Sequence, residues 1–201
     1  GISYIDTAPA YGLSEERLGR VLANHAARPV ISTKVGETFQ DGVSRYDFSP
    51  EATRASIERS ASRLGRDVLE LVFVHSDGND LVIQDTSGVV ETLLTLKAEG
   101  RVRAVGFSGK TIEGARRALE WADVLMVEFH GEDRSHEEVI GEAHRLGIGV
   151  VVKKGLASGH LPASEAIRFV LGHPGVSSLI VGSLNAEHLA ENVSAAVSLD
   201  S

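Results

Sequence analysis

The sequence predicts an α/β protein of the (β/α)8 barrel class, with seven strand–helix units present and the first of the usual eight missing. Three observations lead there. Short β-branched runs alternate with amphipathic helical patterns from end to end, which calls for a parallel sheet. Several of those runs, such as Leu71-Val72-Phe73-Val74 and Val150-Val151-Val152, are apolar without alternation, as strands covered on both faces are. Polar and charged side chains then collect at the C-terminal ends of successive strands: Asp6, Lys34, His75 and the pair Lys153-Lys154. A doubly wound open sheet would also alternate, but functional groups spread over many strand ends favour a barrel.

The expected strands are Ser3–Ala8, Val30–Val35, Leu69–His75, Arg103–Phe107, Val124–His130, Ile148–Lys153 and Ser177–Val181. Ser14 is placed to cap the first helix, whose inner face is Leu18, Val21 and Leu22. Ser49-Pro50 is a strong start for the second, with Ile57, Ala61 and Leu64 on one side. Val90, Leu93 and Leu94 mark the third, which stops at Gly100; Ile112, Ala115 and Leu119 mark the fourth. Val139, Ile140 and Ala143, then Ala166, Ile167 and Val170, then Leu189, Val193 and Ala196 mark the last three. The segments Glu37–Phe48 and Asp77–Gly88 read as loops and, in this fold class, as the seats of specificity. No linker or low-complexity tract interrupts the pattern, so one domain over residues 1–201 is expected.

Composition narrows the partners. Lys plus Arg is 20 and Asp plus Glu is 28, a formal charge of −8 in 201 residues. That balance argues against a nucleic-acid groove, which needs clustered cations to neutralise phosphates. There is no cysteine, which removes disulfide, Cys-zinc and iron–sulfur chemistry and fits a reducing, cytoplasmic setting. No apolar run approaches the roughly 18 residues of a membrane span. No metal site is expected.

Ala104-Val105-Gly106-Phe107-Ser108-Gly109-Lys110-Thr111 satisfies a relaxed phosphate-loop pattern between a strand and a helix. Its first position is Ala104 inside a strand, and no apolar strand ends in a clean partner Asp for Mg²⁺, the nearest being Asp77 beyond His75. The alternative is an ordinary strand-to-helix turn with Ser108 capping or facing a pocket. The stronger constellation is Asp6, Tyr11, Lys34 and His75. A Lys directed into a barrel mouth needs a counter-charge, and Asp6 on the adjacent strand is the available one. Tyr11, five residues past Asp6, can reach the same point.

These residues sit in segments that resemble the aldo-keto reductases. The resemblance is carried by the run from Gly1-Ile2-Ser3-Tyr4-Ile5-Asp6-Thr7-Ala8 through Tyr11-Gly12 to Glu15-Glu16-Arg17-Leu18-Gly19, by Ile31-Ser32-Thr33-Lys34-Val35-Gly36, by Val74-His75, by Arg103–Ser108, and by Val181-Gly182-Ser183 with Glu191-Asn192. It implies an NAD(P)H-dependent reductase of small aldehydes or ketones. Asp6, Tyr11, Lys34 and His75 match the family's catalytic tetrad. In that scheme Tyr11 is the general acid, Lys34 stabilises the phenolate it leaves, Asp6 holds Lys34, and His75 orients the carbonyl. A free tyrosine titrates near about 10, so a neighbouring cation matters.

The same resemblance implies a cofactor contact for Asp6 and one for Ser108 at the nicotinamide, for Leu156 and Ser158 at the pyrophosphate, and for Ser183, Glu191 and Asn192 at the adenine end. Lys153 is a further cofactor candidate, standing where an aromatic ring often stacks on the nicotinamide. Met126 replaces the usual Gln at the carboxamide, and Gly109 the usual Asn. NADP(H) is the cofactor the resemblance implies; the Arg that commonly grips its 2′-phosphate is missing between Val181 and Asn192, which leaves NAD(H) as the alternative. Two other readings use the same barrel: a cofactor-binding protein with little turnover, and a lyase forming a Schiff base on Lys34, Lys153 or Lys154. The resemblance begins at the family's second strand, so Gly1 is expected to be a truncation point, with unpaired edges at Ser3–Ala8 and Ser177–Val181.

Overall fold

The computed structural model describes residues 2–26 and 28–198. The chain forms two compact units, one spanning Ser3–Asp123 and the other formed mainly from Val124 onward.

In the first unit the elements run β1 (Tyr4–Asp6), α1 (Ser14–Ala23), β2 (Val30–Val35), β3 (Glu37–Gln40), β4 (Val43–Tyr46), α2 (Pro50–Leu64), β5 (Leu69–His75), α3 (Asp80–Thr86), α4 (Val89–Ala98), β6 (Val102–Ser108) and α5 (Ile112–Ala118). Strands β1, β2, β5 and β6 lie side by side in that order, all parallel. The register sets Asp6 beside Ser32, Lys34 beside Phe73, and His75 beside Ser108. Phe73, Val72, Val74, Val105 and Phe107 are fully buried, so the apolar runs are indeed the covered strands. In the second unit β7 (Val124–Glu128), α6 (Glu137–Leu146), β8 (Gly149–Lys153), α7 (Ala163–Leu171), β9 (Ser178–Leu179) and α8 (Ala186–Val197) follow, with β7, β8 and β9 parallel in order. Among the described residues, four parallel strands in one unit and three in the other make the seven expected of a (β/α)8 chain lacking one βα unit. Strand β9 is short, but backbone bonds from Ser177 N to Val150 O and from Ile180 N to Val152 O extend its ladder on both sides.

Two elements lie where loops were expected. Asp41-Gly42 closes β3 and β4 as an antiparallel hairpin, with φ of 53° and 79°. Both values are positive, as a two-residue type I′ turn requires, and Asp-Gly suits it. The other is α3, inside the expected loop Asp77–Gly88. Ser14 proves to be the first residue of α1 rather than its cap; its Oγ accepts a hydrogen bond from Thr7 Oγ1 at 2.8 Å. Ser49 does cap α2, accepting from Ala52 N at 3.3 Å with Pro50 next, and Gly65 closes the helix at φ 62°. No helix among the described residues is long and apolar enough to cross a membrane.

Part of the N-terminal signature turns out to be packing. Glu15 is buried and accepts hydrogen bonds from Thr33 Oγ1 at 2.6 Å and Arg63 Nη1 at 3.2 Å, which ties α1 to β2 and α2. One turn later, a Cβ on Gly19 would stand 2.1 Å from Arg63 O, so only glycine lets the two helices approach this closely.

The phosphate-loop look-alike is occupied by the protein's own carboxylate. Asp80, buried at the start of α3, accepts from Lys110 N, Thr111 N and Thr111 Oγ1, each at 2.8 Å, through Oδ2, and from Ser76 Oγ through Oδ1. Thr111 also caps α5 by accepting from Gly114 N. The N–H groups that a phosphate would need are therefore spent on Asp80. The same packing explains Gly109 in place of Asn: a Cβ there would meet Asp80 Oδ2 at 2.7 Å and Phe107 at 2.6 Å. Asp80→Ala leaves several donors buried without an acceptor, and urea unfolding is expected to show a loss of about 3 kcal/mol. Ser49→Ala removes one cap bond only, and the same measurement is expected to show about 1 kcal/mol.

Candidate active site

The first unit brings together all four residues of the expected catalytic set. Asp6 ends β1, Lys34 is the penultimate residue of β2, His75 ends β5, and Tyr11 lies in the connection from β1 to α1. Strand geometry explains the first pair. Tyr4 and Asp6 share one face of β1, Ser32 and Lys34 share one face of β2, and the parallel register sets the two faces together.

Lys34 is 2% exposed, and its ammonium lies 2.5 Å from Asp6 Oδ2 and 2.9 Å from Thr7 O. A cation buried this deeply is tolerated only when paired and hydrogen-bonded. Asp6 is fixed from its other side by Ser32 Oγ, which donates to Oδ1 at 2.6 Å and accepts from Tyr4 OH at 2.6 Å. Burial, and to a lesser degree the charge of Asp6, push the Tyr4 phenol well above its ordinary range, while the bond with Ser32 opposes them. Tyr4 is thus a neutral donor at the end of a chain that runs through Ser32 and Asp6 to Lys34. Sequence reasoning passed over Tyr4 and Ser32. The available signal was the polar residue two positions before Asp6 and before Lys34, on the same strand faces.

Tyr11 is the most exposed of the set, at 46%. Its backbone is held by bonds from Tyr11 N to Ala8 O and from Ser14 N to Tyr11 O, and Gly12 at φ 58° completes the turn. The Lys34 ammonium lies 4.6 Å from the Tyr11 ring centroid. The His75 ring meets Tyr11 edge-on with centroids 6.4 Å apart. Glu37, at the start of the hairpin, sets Oε2 2.7 Å from His75 Nδ1. The sequence reading placed Glu37 in a specificity loop and gave it no contact with His75. Ser108 is buried at the end of β6, and its carbonyl accepts from Ser76 N at 3.2 Å.

The remaining expected cofactor residues belong to the second unit. Lys153 is half-buried at the end of β8, beside Glu128 of β7. Lys154, exposed and at φ 55°, sets its ammonium 2.7 Å from Glu128 Oε2. Leu156 and Ser158 lie in the tight turn that follows, where Ala157 and Ser158 have φ of 47° and 57°. Non-glycine residues at positive φ are uncommon and concentrate where a loop's backbone has work to perform. Ser183 Oγ accepts from Asn185 N at 3.1 Å, and Asn185 caps α8 by accepting from Glu187 N at 2.8 Å. Glu191 is exposed and Asn192 half-buried on α8. Met126 is buried within β7.

Glu128, His130 and Asp133 of this unit also cluster, with ligand atoms within 4.8 Å of one another. His130 Nδ1 accepts from the backbone N–H groups of Glu132 and Asp133, so the ring proton is on Nε2, which faces Glu128 Oε1 at 3.6 Å. That nitrogen has no lone pair for a metal, and the cluster reads as loop closure.

Comparison with known proteins identifies the family. Residues 1–165 match the Aldo/keto reductase family. A solved structure from Pseudomonas aeruginosa assigned to the aldo-keto reductases superposes with a TM-score of 0.95 at 50% identity, covering 100% of this chain and 80% of that one. D-threo-aldose 1-dehydrogenase of a Pseudomonas species is 30% identical over 84% of this chain, and L-galactose dehydrogenase of Arabidopsis thaliana is 28% identical over 100% of it. The chain spans 60% of the length of the first and 76% of the second. A family match over most of the chain, and a near-superimposable fold, leave one assignment: the chain belongs to the aldo/keto reductase family.

Proposed function

We propose that this chain carries the catalytic half-site of a nicotinamide-dependent oxidoreductase that interconverts a small aldehyde or ketone and its alcohol. The observation that carries the reading is the buried Lys34–Asp6 pair standing 4.6 Å from the Tyr11 ring beside His75. Tyr11 gives its phenolic proton to the carbonyl oxygen as the carbonyl carbon is reduced. Lys34 stabilises the phenolate until a proton returns from water. Asp6 keeps Lys34 charged and placed, and His75 hydrogen-bonds the same oxygen. In the reverse direction the Tyr11 phenolate takes the alcohol proton. A nicotinamide dinucleotide, when bound, would supply or receive the hydride.

The residues of the second unit fit such a cofactor. The turn holding Leu156 and Ser158 keeps backbone at positive φ, and α8 begins at a capped N-terminus that carries Ser183 and Asn185 just ahead of it. Backbone N–H groups in such settings suit phosphate oxygens. Glu191 and Asn192 would meet the adenine end, and Lys153 the nicotinamide end. Met126 offers no hydrogen bond to a carboxamide. NADP(H) is the proposed cofactor, with NADH to be compared directly by fluorescence titration.

The relatives named for aldose and galactose dehydrogenation point to small polyhydroxy carbonyl compounds as substrates. A Schiff-base lyase acting through Lys34 is less well supported, because Asp6 and Thr7 O already hold its side-chain nitrogen as an ion-paired donor. Tyr11→Phe is expected to leave cofactor titration unchanged while lowering steady-state reduction by about 10²-fold or more; undiminished turnover would remove Tyr11 from the role. Asp6→Ala strands a buried ammonium. It is expected to lower turnover and, in a denaturant titration, to cost about 3–5 kcal/mol of stability.

A further inference from the structure

The hairpin β3–β4 reaches the candidate site through one side chain. Glu37 is only 11% exposed at its side chain, and its two carboxylate oxygens have separate partners. Oε1 accepts from Ser44 Oγ at 2.6 Å and from Tyr46 OH at 3.1 Å, both on β4. Oε2 lies 2.7 Å from His75 Nδ1. The hairpin therefore fixes the carboxylate, and the carboxylate meets one nitrogen of the one imidazole in the catalytic set.

We propose that Glu37 is a positioning residue that keeps His75 protonated on Nδ1, which makes Nε2 the nitrogen that gains and loses the ring's second proton. The inference rests on the carbonyl-oxidoreductase reading of the site. Its physical basis is electrostatic: the carboxylate stands 2.7 Å from Nδ1 without the alignment of a hydrogen bond. A proton on that nitrogen is attracted by the anion, and a bare lone pair there is repelled by it. A carboxylate beside one ring nitrogen commonly selects the tautomer of a functional histidine in this way. Two consequences follow for the chemistry. With the ring cationic, Nε2 donates to a carbonyl oxygen, as reduction needs. With the ring neutral, Nε2 accepts from an alcohol, as oxidation needs. Around the ring stand Glu37 from β3, Tyr11 from the β1–α1 connection and, farther out, Lys34 of β2 beside Tyr11, Tyr46 of β4 on Glu37, and Asp77 two residues along the chain from His75. Glu37 is an anion in contact with the imidazole. Its charge favours the cationic ring.

The test is ¹⁵N NMR of the intact chain labelled at histidine, recorded without substrate across pH. In the parent protein the Nδ1 resonance of His75 is expected to remain that of a protonated nitrogen while Nε2 moves with pH. In Glu37→Leu the neutral ring is expected to populate the Nε2–H tautomer. In Glu37→Gln, which keeps the shape and removes the charge, the His75 midpoint is expected to fall by about one pH unit, a tenfold loss of proton affinity. A neutral parent ring with its proton on Nε2, or a Glu37→Gln midpoint equal to that of the parent, would overturn the proposal, and the Gln variant keeps the test available if the Leu variant does not fold. Failure of the oxidoreductase reading would appear instead as undiminished turnover in Tyr11→Phe and would leave these resonances where they are.

Discussion

A buried ammonium organises the first unit. Lys34 sits on a strand whose neighbours are apolar, and its charge is admissible only because Asp6 of the adjacent strand and Thr7 O meet it at hydrogen-bond distance. That demand fixes the parallel register of β1 and β2, since sliding by one residue would turn Asp6 or Lys34 to the opposite face. It also explains why polar residues extend along both strands. Ser32 holds the far oxygen of Asp6, and Tyr4 holds Ser32. The positive charge that stands near the Tyr11 ring is thus anchored by a network reaching back to the start of β1.

A second buried charge has a purely architectural part. Asp80 takes the place that an anion would hold above Gly109-Lys110-Thr111, and it joins the start of α3 to the start of α5. Helix dipole and backbone N–H groups favour an anion at such a point whether it comes from a ligand or from the chain. A nucleotide-binding pattern in the sequence and a filled helix-start nest in the structure are therefore the same local chemistry with a different anion. Glu15 shows the related case of a signature residue whose work is to bind α1, β2 and α2 together. Motif residues near a site divide in this way between those that face the chemistry and those that hold the frame.

The strands and main helices were legible because each carries a period that only one element satisfies. Val72 to Val74 and Val150 to Val152 are short, largely β-branched apolar runs that suit covered strands, and Ser49-Pro50 marks a helix start by chemistry confined to four residues. The catalytic set was legible because Asp6, Lys34 and His75 fall at strand ends and because the segments around them resemble a known family. The hairpin was missed although Asp41-Gly42 is a strong turn signal, since its strands are short, exposed and polar and lack a hydrophobic pattern. Helix α3 was missed because its start depends on Asp80 bonding to a turn about thirty residues later in the chain.

By itself the sequence determined the βα repetition, the seven strands, and which side chains could carry acid–base chemistry, because periodicity and residue type are local properties. Tertiary structure alone decided that Tyr4 and Ser32 support Asp6, that Asp80 fills the phosphate-loop look-alike, and that Glu37 meets His75. Each of those is a polar contact between segments far apart in the chain, whose geometry depends on strand register and on a turn's exact reach. Residue spacing can name the partners available to a buried charge; only the folded backbone selects among them.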